Sequence, residues 1–272
     1  MLEFSGPDAR AFAHAQFTSD VEALLNGQWQ WSAWLDPSGR VRNFFALLRS
    51  DADRLLAWLP RGDADAMARR LSMFVMRSKV RIQSLPDYWL LDMPADDASA
   101  PAAMEDLWML NLPGSPPRRA ALVNNCAETT VDPDRLEAWI RADIAAGLPW
   151  ISDETAEEFT PQALGLERLD AISFDKGCYP GQEIVARLHY RGGNKRQCMR
   201  VTIESSTPPS AGERIRVDGT PSSGGSILYA AAARNDVCDA LAVMPANLPE
   251  NTRMTLESGP VARPEHLNVE VL

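Results

Sequence analysis

Lys176-Gly-Cys-Tyr-Pro-Gly-Gln-Glu183 is the stretch on which the interpretation of this sequence depends. It combines a cation, a thiol, a phenol, an amide and a carboxylate with two glycines and a proline. Glycine and proline at this density predict a tight, irregular loop. A loop that holds so many reactive groups is a candidate functional site. We call it the 176–183 loop.

Cys178 is the candidate nucleophile of this loop. Lys176 lies two residues before it, and a nearby ammonium favours the thiolate, which is the reactive form of the side chain. Gln182 or Glu183 is suited to hold the amide-like edge of a ligand through paired hydrogen bonds. The alternative is that Cys178 is a small buried hydrophobic residue, as a lone cysteine often is. The loop composition leaves both interpretations open.

Composition narrows the class of protein. The chain has 272 residues, 27 Lys and Arg against 37 Asp and Glu, and a formal net charge of -10. This length allows two or three domains, and the negative charge disfavours nucleic acid as a direct partner. Residues 1–8 lack a basic region followed by an apolar run, and no stretch reaches the roughly 18 apolar residues of a membrane-spanning helix. We therefore expect a cytoplasmic protein with no membrane partner.

The cysteines and histidines predict neither a disulfide framework nor a metal site. The four cysteines are widely spaced and form no C-x-x-C pair; they are Cys126, Cys178, Cys198 and Cys238. Only three histidines are present, which are His14, His189 and His266. We expect reduced thiols and no resident metal.

Hydrophobic periodicity predicts a mixture of helices and antiparallel strands. Helices are expected at residues 9–17 with Asp8 as the cap, at 64–75, and from Asp132-Pro133 onward. A hairpin is expected at residues 29–48, and a buried strand at 88–93. Beyond Cys198, short apolar runs are divided by Pro, Gly and Ser, which indicates a small β domain. The fold class is therefore predicted to be α+β.

The 176–183 loop and its surroundings resemble a known family. The loop continues into Ile184-Val-Ala-Arg187 and Arg191-Gly-Gly-Asn-Lys-Arg196, and together these resemble the signature of the YgfZ family of folate-binding proteins. Further stretches resemble that family in the same order: Gly6-Pro-Asp-Ala-Arg10, Gln16-Phe-Thr-Ser-Asp-Val21, Asp36-Pro-Ser-Gly-Arg40, Gly147-Leu-Pro-Trp-Ile151 and Phe159-Thr-Pro-Gln162. The resemblance covers approximately the first 200 residues, with a weaker continuation.

The resemblance implies a fold and a role. The fold would be a three-domain cloverleaf related to the T-protein of the glycine cleavage system. Residues 1–195 would form the folate-binding body, with a ferredoxin-like subdomain inserted at roughly 48–115, and residues 196–272 would form a C-terminal β-barrel. The implied role is to bind tetrahydrofolate or a related folate and to help assemble or repair iron–sulfur clusters, particularly under oxidative stress. The partners would be folate and iron–sulfur enzymes or assembly proteins, with tRNA involved only indirectly through a methylthiolating enzyme.

The resemblance also implies site residues. The functional thiol of the family falls on Cys178, flanked by Lys176 and Tyr179. A tryptophan of the family's folate pocket falls on Trp139, whose indole could stack on the pterin or benzoyl ring. Ordinary packing on a helix face is the alternative for this tryptophan.

One position departs from the related aminomethyltransferases. They present a pterin-binding glutamate before an Ala-Gly pair, and here Ala145 occupies that position. Asp143 or Glu183 would then have to supply the carboxylate that binds the guanidine-like edge of the pterin.

A basic cluster follows the loop and consists of Arg187, Arg191, Lys195, Arg196 and Arg200. It is suited to receive the glutamate tail of a polyglutamylated folate, or to contact a tRNA or protein partner. The alternative is a solvated strand edge protected by charges.

Three functions therefore compete on sequence alone. The first is a folate-binding factor that maintains iron–sulfur proteins without conventional catalysis. The second is a tetrahydrofolate-dependent one-carbon (aminomethyl) transferase. The third is a direct tRNA-binding modification factor.

Overall fold

The computed structural model describes residues 1–93, 107–124, 130–218, 224–248 and 252–265. Cys126 and His266 lie outside these ranges. Four helices fall within them: α1 Ala9–Gln16, α2 Ala64–Ser72, α3 Pro133–Ala145 and α4 Gln182–Arg191. The same ranges contain 14 strands. They are β1 Leu2–Ser5, β2 Trp29–Leu35, β3 Val41–Asp51, β4 Arg54–Trp58, β5 Arg81–Ser84, β6 Tyr88–Met93, β7 Trp108–Leu112, β8 Arg118–Asn124, β9 Arg196–Glu204, β10 Arg214–Val217, β11 Gly225–Ala230, β12 Val237–Pro245, β13 Met254–Leu256 and β14 Val261–Glu265.

The N-terminal part forms a five-stranded antiparallel sheet in the order β2-β3-β4-β1-β5. Its first hairpin forms as predicted, because Asp36 accepts hydrogen bonds at its side chain from the Arg40 amide and the Ser38 hydroxyl and so fixes the turn. Helices α1 and α2 contribute to an apolar core with one face of this sheet. Its largest side chains include Phe4, Phe17 and Phe45, which pack edge to face.

A smaller sheet and a helix follow. Strands β6, β8 and β7 form an antiparallel three-stranded sheet with β8 in the middle. Helix α3 begins at Pro133, and the Asp132 side chain accepts hydrogen bonds from the amides of Asp134 and Arg135. This is the predicted N-cap. A 36-residue connection over residues 146–181 then contains turns and bends but no helix or strand.

The C-terminal part is a closed barrel in the order β10-β11-β12-β9-β14-β13. Closure leaves no unpaired sheet edge. One apolar cluster fills its interior, and the outer side chains Leu228, Tyr229 and Leu241 join a second, central core. That central core also receives side chains from the five-stranded sheet, the three-stranded sheet and the 146–181 connection. The predicted α+β class and the C-terminal barrel are confirmed, whereas the predicted domain limits stay predictions.

Two local predictions are wrong. Residues 88–93 form a strand, but not a buried one, because β6 is an edge strand whose Trp89 is 39% exposed beside a cavity. Asp8 stands at the N-cap position of α1 without capping it. Its carboxylate accepts instead from the amide of Lys79, at 2.6 Å.

Candidate functional site

Lys176 anchors the 176–183 loop to the N-terminal sheet region. Its Nζ donates hydrogen bonds to the backbone carbonyls of His14, Phe17 and Ser19, at 2.5, 2.6 and 2.8 Å. Burial lowers the pKa of this lysine to about 8, so the side chain keeps its proton at neutral pH. All three ammonium protons are thus used by the backbone, and the cation positions the loop.

The loop is held on its other side by the β2–β3 hairpin. Gly181 has φ = 79°, and a Cβ atom there would lie 2.7 Å from the Asp36 carbonyl oxygen and 2.7 Å from Gly39 Cα. Only glycine therefore fits at this contact. The prediction of an irregular loop holds up to Gly181 but is wrong for Gln182 and Glu183, which open helix α4.

Within the loop, the phenol is buried and the thiol is exposed. Tyr179 is 6% exposed and belongs to the central core, while the ammonium of Lys176 lies 5.2 Å from the centre of its ring. Burial and the nearby Glu167 raise the pKa of Tyr179 to about 12, so it stays protonated. Cys178 is exposed. The interpretation of Cys178 as a buried hydrophobic residue is therefore wrong, since its side chain is open to solvent.

The other two described thiols are less exposed than that of Cys178. Burial raises the pKa of Cys198 to about 12. Cys238 is fully buried, and burial also raises its pKa. Both thiols therefore stay protonated at neutral pH, and Cys238 donates to the carbonyl of Ser205.

A cavity lies elsewhere, between α3, β6, the end of β4 and the outer surface of the barrel. Its volume is about 610 Å³, within the usual range for small-molecule sites. Five aromatic side chains line it: Trp58, Trp89, Trp139, Trp150 and Tyr229. Trp150 lies at the centre of an aromatic cluster and meets Trp58 edge to face with ring centres 5.6 Å apart.

A buried carboxylate lies among these aromatic walls. Asp143 is 5% exposed; its Oδ1 accepts from Arg118 Nη2 at 2.7 Å, and its Oδ2 accepts from Trp150 Nε1 at 2.8 Å. Burial raises the pKa of Asp143, and the charge of Arg118 opposes that rise. Asp143 lines the cavity, whereas Ala145 does not. Asp143 is one of the two residues that the sequence suggested in place of the glutamate of the related aminomethyltransferases.

Trp139 lines the cavity from α3. The guanidinium of Arg118 lies 4.6 Å from the centre of its ring and covers one face of the indole. The same indole packs against the central core, so its two interpretations, packing and pocket wall, are compatible.

The remaining predicted binding residues are not in the cavity wall. Gln182, Glu183, Arg187 and Arg191 lie on α4, and none of them lines the cavity described above. Of this group, Glu183, Arg187 and Arg191 are exposed. The structure thus separates the sequence-predicted residues into two places, with Trp139 in the cavity and the others at the loop and on α4.

The basic cluster is also divided. Arg187, Arg191 and Lys195 are exposed and form no ion pair with any residue in the described ranges. Arg200 is instead bonded to Asp239, with Nη2 2.6 Å from Oδ1.

Sequence reasoning missed four residues of the cavity wall, namely Trp58, Arg61, Trp89 and Tyr229, and also Arg118, which bonds to the wall residue Asp143. They come from separate strands and turns and share no spacing. The available signal was the Pro-Arg-Gly turn that follows β4, since side chains at strand ends are often functional. Over the described ranges, no cluster of three His, Cys, Asp or Glu side chains is arranged to hold a metal ion. No helix in those ranges has the length and apolar character needed to cross a membrane.

Comparison with solved structures defines the fold class. The structure of the glycine cleavage system aminomethyltransferase T from Bartonella henselae superposes with a TM-score of 0.64, covering 97% of this chain and 82% of that one at 15% identity. The protein therefore has the fold of the glycine cleavage T-protein, as predicted. At this identity the likeness concerns the fold alone.

Comparison with known sequences defines the family. No family model matches the chain. The tRNA-modifying protein YgfZ of Klebsiella pneumoniae is 33% identical over 241 residues, which cover 80% of this chain and 73% of the relative. The tRNA-modifying protein YgfZ of Photobacterium profundum is 29% identical over 287 residues, 96% of this chain and 86% of the relative. The chain belongs to the YgfZ family.

Proposed function

We propose that this protein binds a reduced folate in the cavity, in the cytoplasm, and supports the assembly or repair of iron–sulfur clusters, including those of tRNA-modifying enzymes. The observation that carries the folate proposal is the buried carboxylate Asp143 within a cavity lined by four tryptophans and a tyrosine. Flat aromatic walls suit the pterin and benzoyl rings. A carboxylate suits the guanidine-like edge of the pterin, which offers parallel N–H donors.

The fit extends to the hydrogen-bonding capacity of the carboxylate. Each oxygen of Asp143 accepts one hydrogen bond from the protein, from Arg118 or from Trp150. A carboxylate oxygen has two lone-pair sites, so each retains one for a ligand. The protein donors hold the carboxylate in place, and the exposed faces of the cavity aromatics supply the apolar contact.

The second part of the proposal concerns Cys178. This thiol is exposed on a loop that Lys176 and Gly181 fix rigidly to the N-terminal sheet region. An exposed thiol on a fixed loop is suited to react or ligate iron in a cluster protein that docks there. The names of the relatives indicate a link to tRNA modification. We place that link at the cluster-containing enzyme, with tRNA involved indirectly.

Titration with tetrahydrofolate tests the cofactor. The wild-type protein is expected to bind it in isothermal titration calorimetry, and Trp139→Ala is expected to weaken binding about tenfold, since loss of a stacking contact costs about 1.4 kcal/mol. Trp108→Ala is the matched control, because Trp108 is a partly buried tryptophan that does not line the cavity. Absence of binding by the wild-type protein, or equal effects of the two substitutions, would contradict the proposal.

A folate-dependent aminomethyl transferase is the first alternative, and the shared T-protein fold favours it. Ala145 disfavours it, because the related transferases place a glutamate there. Purified protein would be assayed for tetrahydrofolate-dependent release of ammonia from an aminomethylated carrier protein. Turnover in this assay would favour the transferase function. Absence of turnover would favour a role in the maintenance of iron–sulfur proteins.

Direct binding of tRNA is the second alternative, favoured by the exposed Arg187, Arg191 and Lys195 and by Tyr190, which is 72% exposed. The overall charge of -10 disfavours it. Affinity for tRNA at two salt concentrations decides the matter. Contacts to phosphates would give a steep decrease of affinity with salt, and weak binding at both concentrations would exclude a direct role.

A further inference from the structure

Arg61 is a cation in the cavity wall. It lies three residues after the end of β4, in the turn between that strand and α2, and its side chain is half-buried. Its guanidinium carbon lies 4.7 Å from the centre of the Tyr229 ring, another wall of the cavity. Gly62 in the same turn has φ = 91°, and a Cβ atom there would lie 3.2 Å from Asn43 Nδ2, so the turn favours glycine at this position.

The charge of Arg61 acts on the carboxyls of Asp143 and Glu154 without forming a direct ion pair with either. It opposes the rise in the pKa of Asp143 that burial causes, while hydrogen bonds and, to a lesser extent, this charge lower the pKa of Glu154. Among the residues that the structure describes, no carboxylate lies within ion-pair distance of its guanidinium. The other cavity-lining arginine, Arg135, is paired with Asp92 at 2.8 Å. A half-buried guanidinium has lost part of its hydration without gaining an ionic contact, which makes it a favourable binding point for an anion.

The acidic groups of the cavity are, in contrast, already engaged. Asp143 is paired with Arg118, Asp92 with Arg135, and Asp132 accepts two amide hydrogen bonds at the start of α3. Within the described cavity wall, Arg61 is therefore the charged side chain that forms neither an ion pair nor a side-chain hydrogen bond, whereas Asp143 keeps one acceptor site on each oxygen. A ligand that matches the whole cavity has flat aromatic rings and a carboxylate.

We propose that Arg61 binds the glutamate carboxylates of the folate held in this cavity. This assignment rests on the proposed function, because it concerns the same cavity. The planar guanidinium suits a carboxylate, since it donates two parallel hydrogen bonds to the two oxygens. Tyr229 supports the guanidinium through its ring face, and its own hydroxyl is occupied, donating to the Leu148 carbonyl at 2.7 Å.

Two ligands and two substitutions test the assignment. Tetrahydrofolate would be titrated in parallel with its diamide, in which both glutamate carboxylates are converted to neutral amides. The wild-type protein is expected to bind the acid about tenfold more tightly than the diamide, as loss of one charge-assisted contact predicts. Arg61→Met is expected to bind both ligands equally, by weakening only the acid, and Arg61→Lys to retain part of the preference.

Arg69→Met is the matched control, because it removes an arginine of the neighbouring helix α2 that does not line the cavity. It should leave the preference for the acid intact. Thermal unfolding followed by circular dichroism would establish that all variants are folded. Equal binding of the two ligands by the wild-type protein, or an undiminished preference in Arg61→Met, would overturn the role of Arg61 while leaving folate binding in place. Failure of the wild-type protein to bind either ligand would overturn the proposed function and this assignment with it.

Discussion

Lys176 illustrates how much of a loop one side chain can determine. A single ammonium binds three carbonyls contributed by the end of α1 and the residues just after it. In a longer helix, backbone amides of the next turn would donate hydrogen bonds to carbonyls at the end of α1. Here the ammonium of Lys176 donates them instead. Its position two residues before Cys178 therefore serves to hold the loop that carries the thiol in place.

Replacement of this lysine should destabilise the protein measurably. Lys176→Met removes three hydrogen bonds from a charged donor, and the expected loss of unfolding free energy is about 2 kcal/mol. Urea denaturation of the purified variant measures it. Lys195→Met, which removes an exposed lysine, should change stability by less than about 0.5 kcal/mol. Similar values for the two variants would show that Lys176 does not anchor the loop.

Breaking the ion pair of Arg118 and Asp143 should destabilise the protein strongly. Arg118→Met leaves a buried carboxylate without its cation, which is expected to cost about 3 kcal/mol at neutral pH. Arg119→Met changes the neighbouring residue, on the opposite side of β8, and should cost much less.

The loss of unfolding free energy caused by Arg118→Met should also depend on pH. Burial raises the pKa of Asp143, so the folded protein holds this proton at pH values at which the unfolded chain has lost it. The stability contributed by this carboxyl therefore falls as pH rises through the raised pKa. Without Arg118 the pKa of Asp143 rises further, because the opposing charge is gone. The loss of unfolding free energy caused by Arg118→Met should therefore be smaller in mild acid. A deficit that does not change with pH would mean that Asp143 is not the group left unpaired.

At the scale of the elements, the contact between the 176–183 loop and the β2–β3 hairpin explains why two glycines are needed far apart in the sequence. Gly39 and Gly181 approach so closely that neither has room for a Cβ atom. This contact sets the first turn of α4, which begins immediately after Gly181. The hairpin and the helix are therefore positioned as one unit.

Two glycine substitutions separate this contact from backbone strain. Gly181→Ala should lose about 3 kcal/mol of unfolding free energy, from a positive φ and from collision with the hairpin. Gly27 has a similar φ, 81°, in the turn before β2, and a Cβ atom added there would have no other atom within 4 Å. Gly27→Ala should cost only about 1 kcal/mol. Equal losses in urea denaturation would mean that the hairpin contact contributes nothing.

Local signals predicted many of these elements, but not the long connection. The cap at Asp132, the Asp36 turn and the short apolar runs of the barrel strands each act within a few residues, and each element forms where they indicated. Residues 146–181 have no repeating pattern, yet Trp150 and Phe159 within them are each 2% exposed. Their burial depends on three surrounding sheets, which no local window contains.

At the scale of the whole molecule, the residues that line the cavity could not all be predicted from the sequence. Its aromatic residues come from β4, β6, α3, the long connection and the barrel, so they meet only when all of these are packed. The sequence indicated Trp139 through family resemblance and offered Asp143 as one of two candidates. It placed Gln182, Glu183, Arg187 and Arg191 in the binding set as well, and the structure puts these on α4, outside the cavity wall.

The shared central core predicts that the molecule unfolds in one step. Side chains of all three sheets meet in it, so loss of the barrel would expose the body. All eight tryptophans lie within residues 29–150, and their fluorescence reports the body. The buried thiol of Cys238 reports the barrel when it becomes reactive. The two urea midpoints should coincide, and separated midpoints would show that the barrel unfolds independently.

The central claim is that the folate cavity and the exposed thiol act together in maintaining iron–sulfur enzymes. The most direct test is the activity of a cluster-dependent enzyme, under oxidative stress, in a strain that lacks the gene and carries wild-type protein, Trp139→Ala, Cys178→Ala or the control Trp108→Ala at matched protein levels. Wild-type protein and Trp108→Ala should restore activity, while Cys178→Ala should fail and Trp139→Ala should restore it only in part. Full restoration by folded Cys178→Ala and Trp139→Ala proteins would contradict the claim.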